Sequence, residues 1–562
     1  MTHTEAPARP TSAVDALAND LMAQLHALDP ATAYINGYRT YPNRYADYSP
    51  AGTRAERELL EDTLEKLAQL PDADEIDAVT RAAMQERMGL QIEMIDSQVT
   101  LLNNIATPAH GIRTLFDLIP TQTAEDWEVA ADFLADVPHA LSGYQDSLLH
   151  SAKHALAPAR RQVDTVAGQM RAHASADGFF HTFIAAAPAD LDEDLKNRLA
   201  DGAAAATEAY GNFVTFLTEE LDPLARDEDG VGKEYYQLAS RYFLGATVDL
   251  EETYRWGIQE LDRLVAAEEE LARNILPEGS EVSVAALRKH FTNDPARKIV
   301  GTDALQAWMQ EKADTAVAEL GKEHFEIPEP VRTIECMIAP TQEGGIYYTP
   351  PSDDFSRPGR MWWSVPPATT EFATWIETTT VYHEGVPGHH LQLGLATYYK
   401  DLLNDWRRHG CWISGHGEGW ALYSEELMHE LGYLDDPADY LGMLDAQRFR
   451  AARVVFDIGL HLGLRQPEHY GGQIWNAENG REFLDQHFNM SEGEREFEWL
   501  RYMGWPGQAP SYKVGQRVWE DIRAEQEELL GADFDLKDFH SRALKLGSVG
   551  LDVLREALKA QA

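Results

Sequence analysis

The stretch Val381-Tyr-His-Glu-Gly-Val-Pro-Gly-His-His-Leu-Gln sets a His-Glu pair, His383 and Glu384, just ahead of two further histidines, His389 and His390. Neutral imidazoles hold zinc, and a carboxylate beside them can take the proton from metal-activated water, which is the chemistry of a zinc hydrolase. In a regular helix two ligating histidines stand four residues apart, so that both face one way. Here that position is Pro387. His390 shares the face of His383 but lies about 10.5 Å further along the axis, too far for two bonds of about 2 Å to one ion. His389 would face elsewhere in an unbroken helix. Pro387, however, cannot donate an N–H, its ring collides with the carbonyl of His383, and Gly388 accepts unusual dihedrals, so the helix should bulge or kink. A bulge can return a second imidazole to the metal. His389 is the expected ligand and His390 the alternative.

A third ligand is expected from Gly415-His-Gly-Glu-Gly-Trp-Ala-Leu-Tyr-Ser-Glu-Glu-Leu. Glu418 and Glu425 are two helical turns apart on one face, so that one can ligate while the other orients a histidine N–H from behind. Gly415, Gly417 and Gly419 would let this backbone approach the first metal helix closely. Oxyanion stabilisation calls for a further donor, and Tyr502, Tyr512 and His461 are the candidates. Asp457 and His461 are four apart on an apolar helix, which makes Asp457 a candidate for a supporting role behind an imidazole. Arg450 and Arg453 could neutralise a substrate carboxylate, and Tyr502 could also touch substrate. The strand Met361–Val365 is a candidate edge for an extended peptide.

Three motifs in order, His-Glu-x-x-Pro-Gly-His-His, Glu-Gly-Trp-Ala-Leu-Tyr-x-Glu and Pro-Gly-Gln-Ala-x-x-Tyr-Lys, resemble the bacterial domain-of-unknown-function 885 family. That family is grouped with the gluzincin metallopeptidases. The resemblance implies His383, His389 and Glu418 as zinc ligands, Glu384 as general base, Glu425 as the supporting glutamate and Tyr512 as part of the third motif. It also implies a helical half that walls a channel.

The elements around these motifs are mostly helical. Apolar residues recur at three and four spacing from Ser12 to about Glu323, as in Asp74–Leu102, Asp190–Leu221 and Leu250–Ile275. Proline and glycine rise between 326 and 367, where short β-rich pieces appear at Val331–Met337, Ile346–Thr349 and Met361–Val365. Helical periodicity then resumes at Thr370. The expectation is a mainly α fold: a flexible N-terminus (1–11), a helical lobe (12–325), and a catalytic region (326–562) with a small sheet beside a zincin-like helix pair. One intertwined domain is the alternative to two lobes around a cleft.

Composition narrows the partners. A net charge of −45 on 562 residues excludes ordinary nucleic-acid binding, which needs a basic surface. No run of about 18 apolar residues exists to span a membrane, and the N-terminus lacks the pattern of a secretory signal, so a cytoplasmic protein is expected. The two cysteines are too few for a disulfide framework or a thiolate metal site. The functional expectation is a single Zn²⁺ and hydrolysis of short peptides. A zinc enzyme cleaving a non-peptide acyl or C–C bond of a small metabolite, and a catalytically silent binding protein, are the alternatives.

Overall fold

The computed structural model describes residues 8–340 and 345–561; part of the expected flexible segment 1–11, residues 1–7, lies outside them. Helices make up 68 % of the chain and strands 4 %, so the fold is mainly α. Local chemistry accounts for many helix starts. Ser12, Thr123 and Ser491 each accept from the backbone three residues on, and Asp15, Asp126 and Glu494 return the bond. Among the described residues no helix is long and apolar enough to cross a membrane.

The hydrophobic cores do not part at residue 325. The largest cluster joins Val14, Met84 and Leu261 to Trp420, Val454 and Leu554, and so unites helices from both ends of the chain. A second cluster, including Trp127, Phe133 and Tyr210, is built between Ala31 and Leu221. A third, small cluster joins Leu287 and Phe291 to Trp375 and Leu441, so residues 12–325 feed three cores, because the N-terminal helices find their apolar partners on the C-terminal helices as well as on one another. Each fully buried large side chain contributes on the order of 1.5–3 kcal/mol of transfer free energy.

Among the described residues five strands form two small sheets. β1 (Lys298–Val300) pairs antiparallel with β5 (Glu371–Ala373), a pairing that the sequence gives no local sign of. β2 (Ile334–Ile338), β4 (Gly359–Trp363) and β3 (Ile346–Thr349) form the other in that spatial order, with β2 parallel and β3 antiparallel to β4. Met361 and its neighbours are thus in the central strand, bonded on both sides, and are not an open edge for a peptide. The outer edge of β2 is also occupied: Gln306 and Gln310 bond to the backbone of Ile334 and Cys336. The remaining edge belongs to β3.

Candidate metal centre

The first ligand helix, Thr374–Glu384, stops at Glu384 and a second, His389–Tyr398, begins at His389. Between them the chain turns through Gly385-Val386-Pro387-Gly388, with a cis Val386–Pro387 bond. The turn is hydrogen-bonded throughout: Gly385 N–H donates to Val381 (2.8 Å), Gly388 N–H to Tyr382 (3.1 Å) and His390 N–H to Gly385 (3.0 Å). Gly388 is obligatory, because a Cβ there would stand 2.5 Å from the Tyr382 carbonyl oxygen and closer still to that of His383. The interruption is thus a complete stop and restart, where proline chemistry alone indicated a bulge or kink.

This turn returns His389 to His383. Both imidazoles meet Glu418 of the third ligand helix, Ser414–Glu430, with His383 Nε2 and His389 Nε2 lying 3.4 and 3.5 Å from Glu418 Oε2. The ligand atoms of the three residues all lie within 4.8 Å of one another. A tetrahedral zinc site with bonds of 2.0–2.1 Å has ligand-to-ligand edges of about 3.3 Å, which the two His–Glu418 separations match, so the three residues fit the donor set of one zinc ion. Trp420, two residues beyond Glu418, fixes the third helix to the turn by donating Nε1–H to the Pro387 carbonyl at 2.9 Å.

His390 faces the opposite way. Its Nε2 lies 2.7 Å from the Val331 carbonyl and its Nδ1 2.9 Å from the Tyr348 hydroxyl, so both ring nitrogens are used and the alternative ligand assignment does not fit. Burial lowers it to about 4, which keeps it neutral.

Behind His383 stands Glu425. Its Oε1 is 2.7 Å from His383 Nδ1 and its Oε2 accepts from the Thr379 hydroxyl at 2.9 Å, which holds the ring with Nε2 toward the cluster. Burial alone would raise the Glu425 carboxyl, but Arg450 and His383 outweigh it and leave it lowered. Burial likewise opposes protonation of His383, yet Glu418 and Glu425 hold it up to about 9. Glu418 is held well below the usual range by the two imidazoles despite its burial. Three carboxylates, Glu384, Glu418 and Glu425, thus surround two imidazoles, a donor set suited to a cation. His389 Nδ1 has no partner among the described residues.

Glu384 is raised by burial first, with the two imidazoles opposing that effect. Its Oε2 is buried and has no partner among the described residues, as a group awaiting a proton or a water would be. Tyr512 starts the helix Ser511–Leu530, which crosses the third ligand helix where Gly419 meets Gly515; a Cβ on Gly419 would lie 2.5 Å from the Gly515 carbonyl carbon. The glycines of that ligand helix thus face Leu244, Trp412 and Gly515, and not the first metal helix as expected. Through this crossing Tyr512 comes under the influence of Glu418 on one hand and of Arg501, Arg453 and Arg450 on the other; burial first and then Glu418 keep its phenol protonated.

Three expected residues stand outside the cluster. Asp457 Oδ1 accepts from the Tyr236 hydroxyl (2.7 Å) and Gly507 N–H (3.0 Å), so it orients none of the cluster imidazoles. His461 uses Nε2 on the Tyr502 carbonyl (2.9 Å) and Nδ1 on Val231 N–H (3.3 Å), leaving no nitrogen for an oxyanion. The Tyr502 hydroxyl, fully buried, donates to Glu498 and accepts from Arg453 Nε at 2.8 Å, so it is not free for substrate. Conversely, Thr379, Arg501 and Glu498 carry no signal in the sequence that marks them for this site. Nor does Trp412, which is 49 % exposed and lies with its ring 6.3 Å from that of His389.

No curated protein matches the chain in sequence. Solved structures share its fold, and two of them are uncharacterised bacterial proteins. One, described as "the putative lipoprotein from Colwellia psychrerythraea", has a TM-score of 0.80 at 22 % identity and covers 98 % of each chain. The other, "a putative lipoprotein of unknown function from Shewanella oneidensis", has a TM-score of 0.73 at 17 % identity over 98 % of this chain and 100 % of that one. The family model described as bacterial protein of unknown function, DUF885, matches residues 30–558, and the chain belongs to that family.

Proposed function

We propose that this chain is a zinc-dependent hydrolase of gluzincin type whose substrates are short peptides. The observation that carries the reading is the convergence of His383 Nε2, His389 Nε2 and Glu418 Oε2 beside Glu384, whose Oε2 has no partner among the described residues. Two imidazoles and one carboxylate are the donor set of hydrolytic zinc sites with an open position. When bound there, the ion would supply Lewis-acid polarisation of a carbonyl and of the attacking water.

The chain's own groups divide the remaining work. Glu384 takes a proton from water as its oxygen adds to the scissile carbonyl, and then delivers that proton to the departing amine nitrogen as the C–N bond breaks. The protonated Tyr512 hydroxyl donates to the oxygen that gains negative charge. Glu425 and Thr379 keep His383 in one tautomer and orientation. The two buried free thiols, Cys336 and Cys411, support a cytoplasmic setting, which cell fractionation tests.

The test is peptide-library hydrolysis followed by mass spectrometry, with zinc-loaded and chelator-treated protein and with Glu384→Gln. The reading expects cleavage that chelation abolishes and that Glu384→Gln lowers by a factor of about 10² or more. Turnover confined to non-peptide metabolites removes the peptidase assignment, and turnover unchanged in Glu384→Gln removes the general base.

A further inference from the structure

Next to the cluster the protein gathers positive charge that it neutralises only in part. Arg450 and Arg453 project from the helix Pro437–Leu462 and Arg501 from Glu492–Gly504. Glu498 is the carboxylate that two of them share: Arg453 Nη2 approaches it at 3.3 Å and Arg501 Nη1 at 3.0 Å, while the Tyr502 hydroxyl also donates to it. Arg450 Nη1 donates to the Ala446 carbonyl at 3.1 Å, and the carboxylate nearest to it, Glu425 at 4.0 Å, is already committed to His383 and Thr379.

The unused donors matter more than the charge count. Arg453 is 5 % exposed, yet its Nη1 has no partner among the described residues, and neither do Arg450 Nε and Arg501 Nε. A buried donor left unpaired costs about 1–3 kcal/mol, more when it is charged, and these arginines share neighbours, Glu498 for Arg453 and Arg501 and Tyr512 for all three, so an acceptor is expected beside them. Aromatic faces hold one of these groups in position, with Arg453 standing 3.9 Å over the Phe449 ring and 4.9 Å from that of Tyr512. The arginines also act on the reacting groups: Arg450 on Glu384 and Glu425, and all three on Tyr512.

We propose that Arg450, Arg453 and Arg501 form an anion pocket beside the metal cluster that receives a carboxylate of the substrate. The inference rests on the hydrolase reading and deepens it by naming the substrate class: peptides carrying a carboxylate on the side that enters this pocket. Guanidinium groups are the natural partners of a carboxylate, since their N–H forks match its two oxygens and stay charged at any working pH. A peptide's α-ammonium group would be repelled by the same residues, which sets the direction of binding. The carboxylate can be the peptide's own C-terminus or an acidic side chain.

Calorimetric titration of the Glu384→Gln protein, both zinc-loaded and chelated, separates these sources. The ligands are one tripeptide as the free acid, the same tripeptide as its C-terminal amide, and an amide whose last residue is glutamate. The pocket predicts that a carboxylate-bearing ligand binds about tenfold or more tightly than the plain amide, the worth of a hydrogen bond to a charged group. That advantage should shrink in Arg450→Gln and Arg453→Gln and fall with added salt. Tight binding of the free acid alone assigns the α-carboxylate, and equal binding of the glutamyl amide assigns the acidic side chain. Because Arg453 also holds Tyr502 and Glu498, its variant can fail to fold; the comparison of the two carboxylate-bearing ligands with the plain amide, made with all three arginines intact, then decides for or against the pocket. A plain amide that binds as tightly as both carboxylate-bearing ligands, or no binding of any of the three, overturns the pocket. Plain amides cleaved by the wild type as fast as both the free acid and the glutamyl amide would overturn the pocket while leaving the hydrolase intact. Acid-selective binding without any cleavage would do the reverse.

Discussion

Replacing Gly388 with alanine tests whether the turn between the two ligand helices sets the metal geometry. The added Cβ would stand 2.5 Å from the Tyr382 carbonyl oxygen and 2.6 Å from the His383 carbonyl carbon, where ordinary contact begins at 3.4 Å. Relief therefore requires the backbone at Gly388 to move by about 1 Å or more, and the next residue is His389, whose imidazole moves with it. Zinc–ligand distances tolerate only about 0.2 Å, so a displacement of this size takes His389 out of bonding range. Loss of a direct ligand should exceed the 10- to 100-fold effect typical of a group behind the ligands, which puts the loss of zinc affinity at about 100-fold or more. Overpacking adds a destabilisation of about 1–3 kcal/mol, which leaves room for a folded variant. The assay is competition for zinc with a chromophoric chelator, with circular dichroism and thermal melting to verify the fold. Gly493→Ala is the matched control, because nothing lies within 4 Å of its Cβ position. A folded Gly388→Ala protein that binds zinc as tightly as wild type refutes the idea that this turn creates the six-residue spacing.

Other substitutions probe separate parts of the molecule. Glu425→Gln removes the charged acceptor of His383 Nδ1–H at 2.7 Å and should weaken zinc binding by about 10- to 100-fold in the same chelator competition; unchanged affinity contradicts the supporting role. Asp457, fully buried and pushed up to about 7 mainly by desolvation, keeps its proton in the fold where the unfolded chain has lost it. Its contribution is whole below about pH 4 and is lost as the pH rises through 7, an effect on the order of 4 kcal/mol at most. Urea midpoints measured from pH 5 to 8 should fall more steeply for wild type than for Asp457→Asn, and parallel slopes would contradict this. Burial pushes the Cys336 thiol up to about 12 and that of Cys411 to about 11, so a thiol reagent should find neither in the native protein and both after denaturation.

What could be read from the sequence was what depends on near neighbours. Helix periodicity and caps are local, and so is the conflict between Pro387 and a regular helix, which made His389 an expected ligand despite its irregular spacing. The seven-residue interval between Glu418 and Glu425 likewise survives in space, because both lie on one uninterrupted helix. Pairings that cross the chain were not legible. Asp457 and His461 look like an i,i+4 pair, yet Tyr236 and Gly507 claim the first, while Val231 and the Tyr502 carbonyl claim the second. β4 reads as a strand from its own residues, but only the positions of β2 and β3 reveal that it is central. Arg501 carries no motif of its own, and its relation to Arg453 exists only because two helices set Glu498 between them.

The most direct test of the central claim is metal content per chain, measured by elemental analysis after zinc loading and removal of excess. It is made on wild type and on His383→Ala, His389→Ala, Glu418→Ala and His390→Ala. The cluster geometry predicts one zinc in wild type, its loss in the first three variants, and its retention in His390→Ala, whose imidazole faces Tyr348 and Val331. A wild-type protein that holds no metal, or one that keeps its zinc without His383, His389 and Glu418, would contradict the claim.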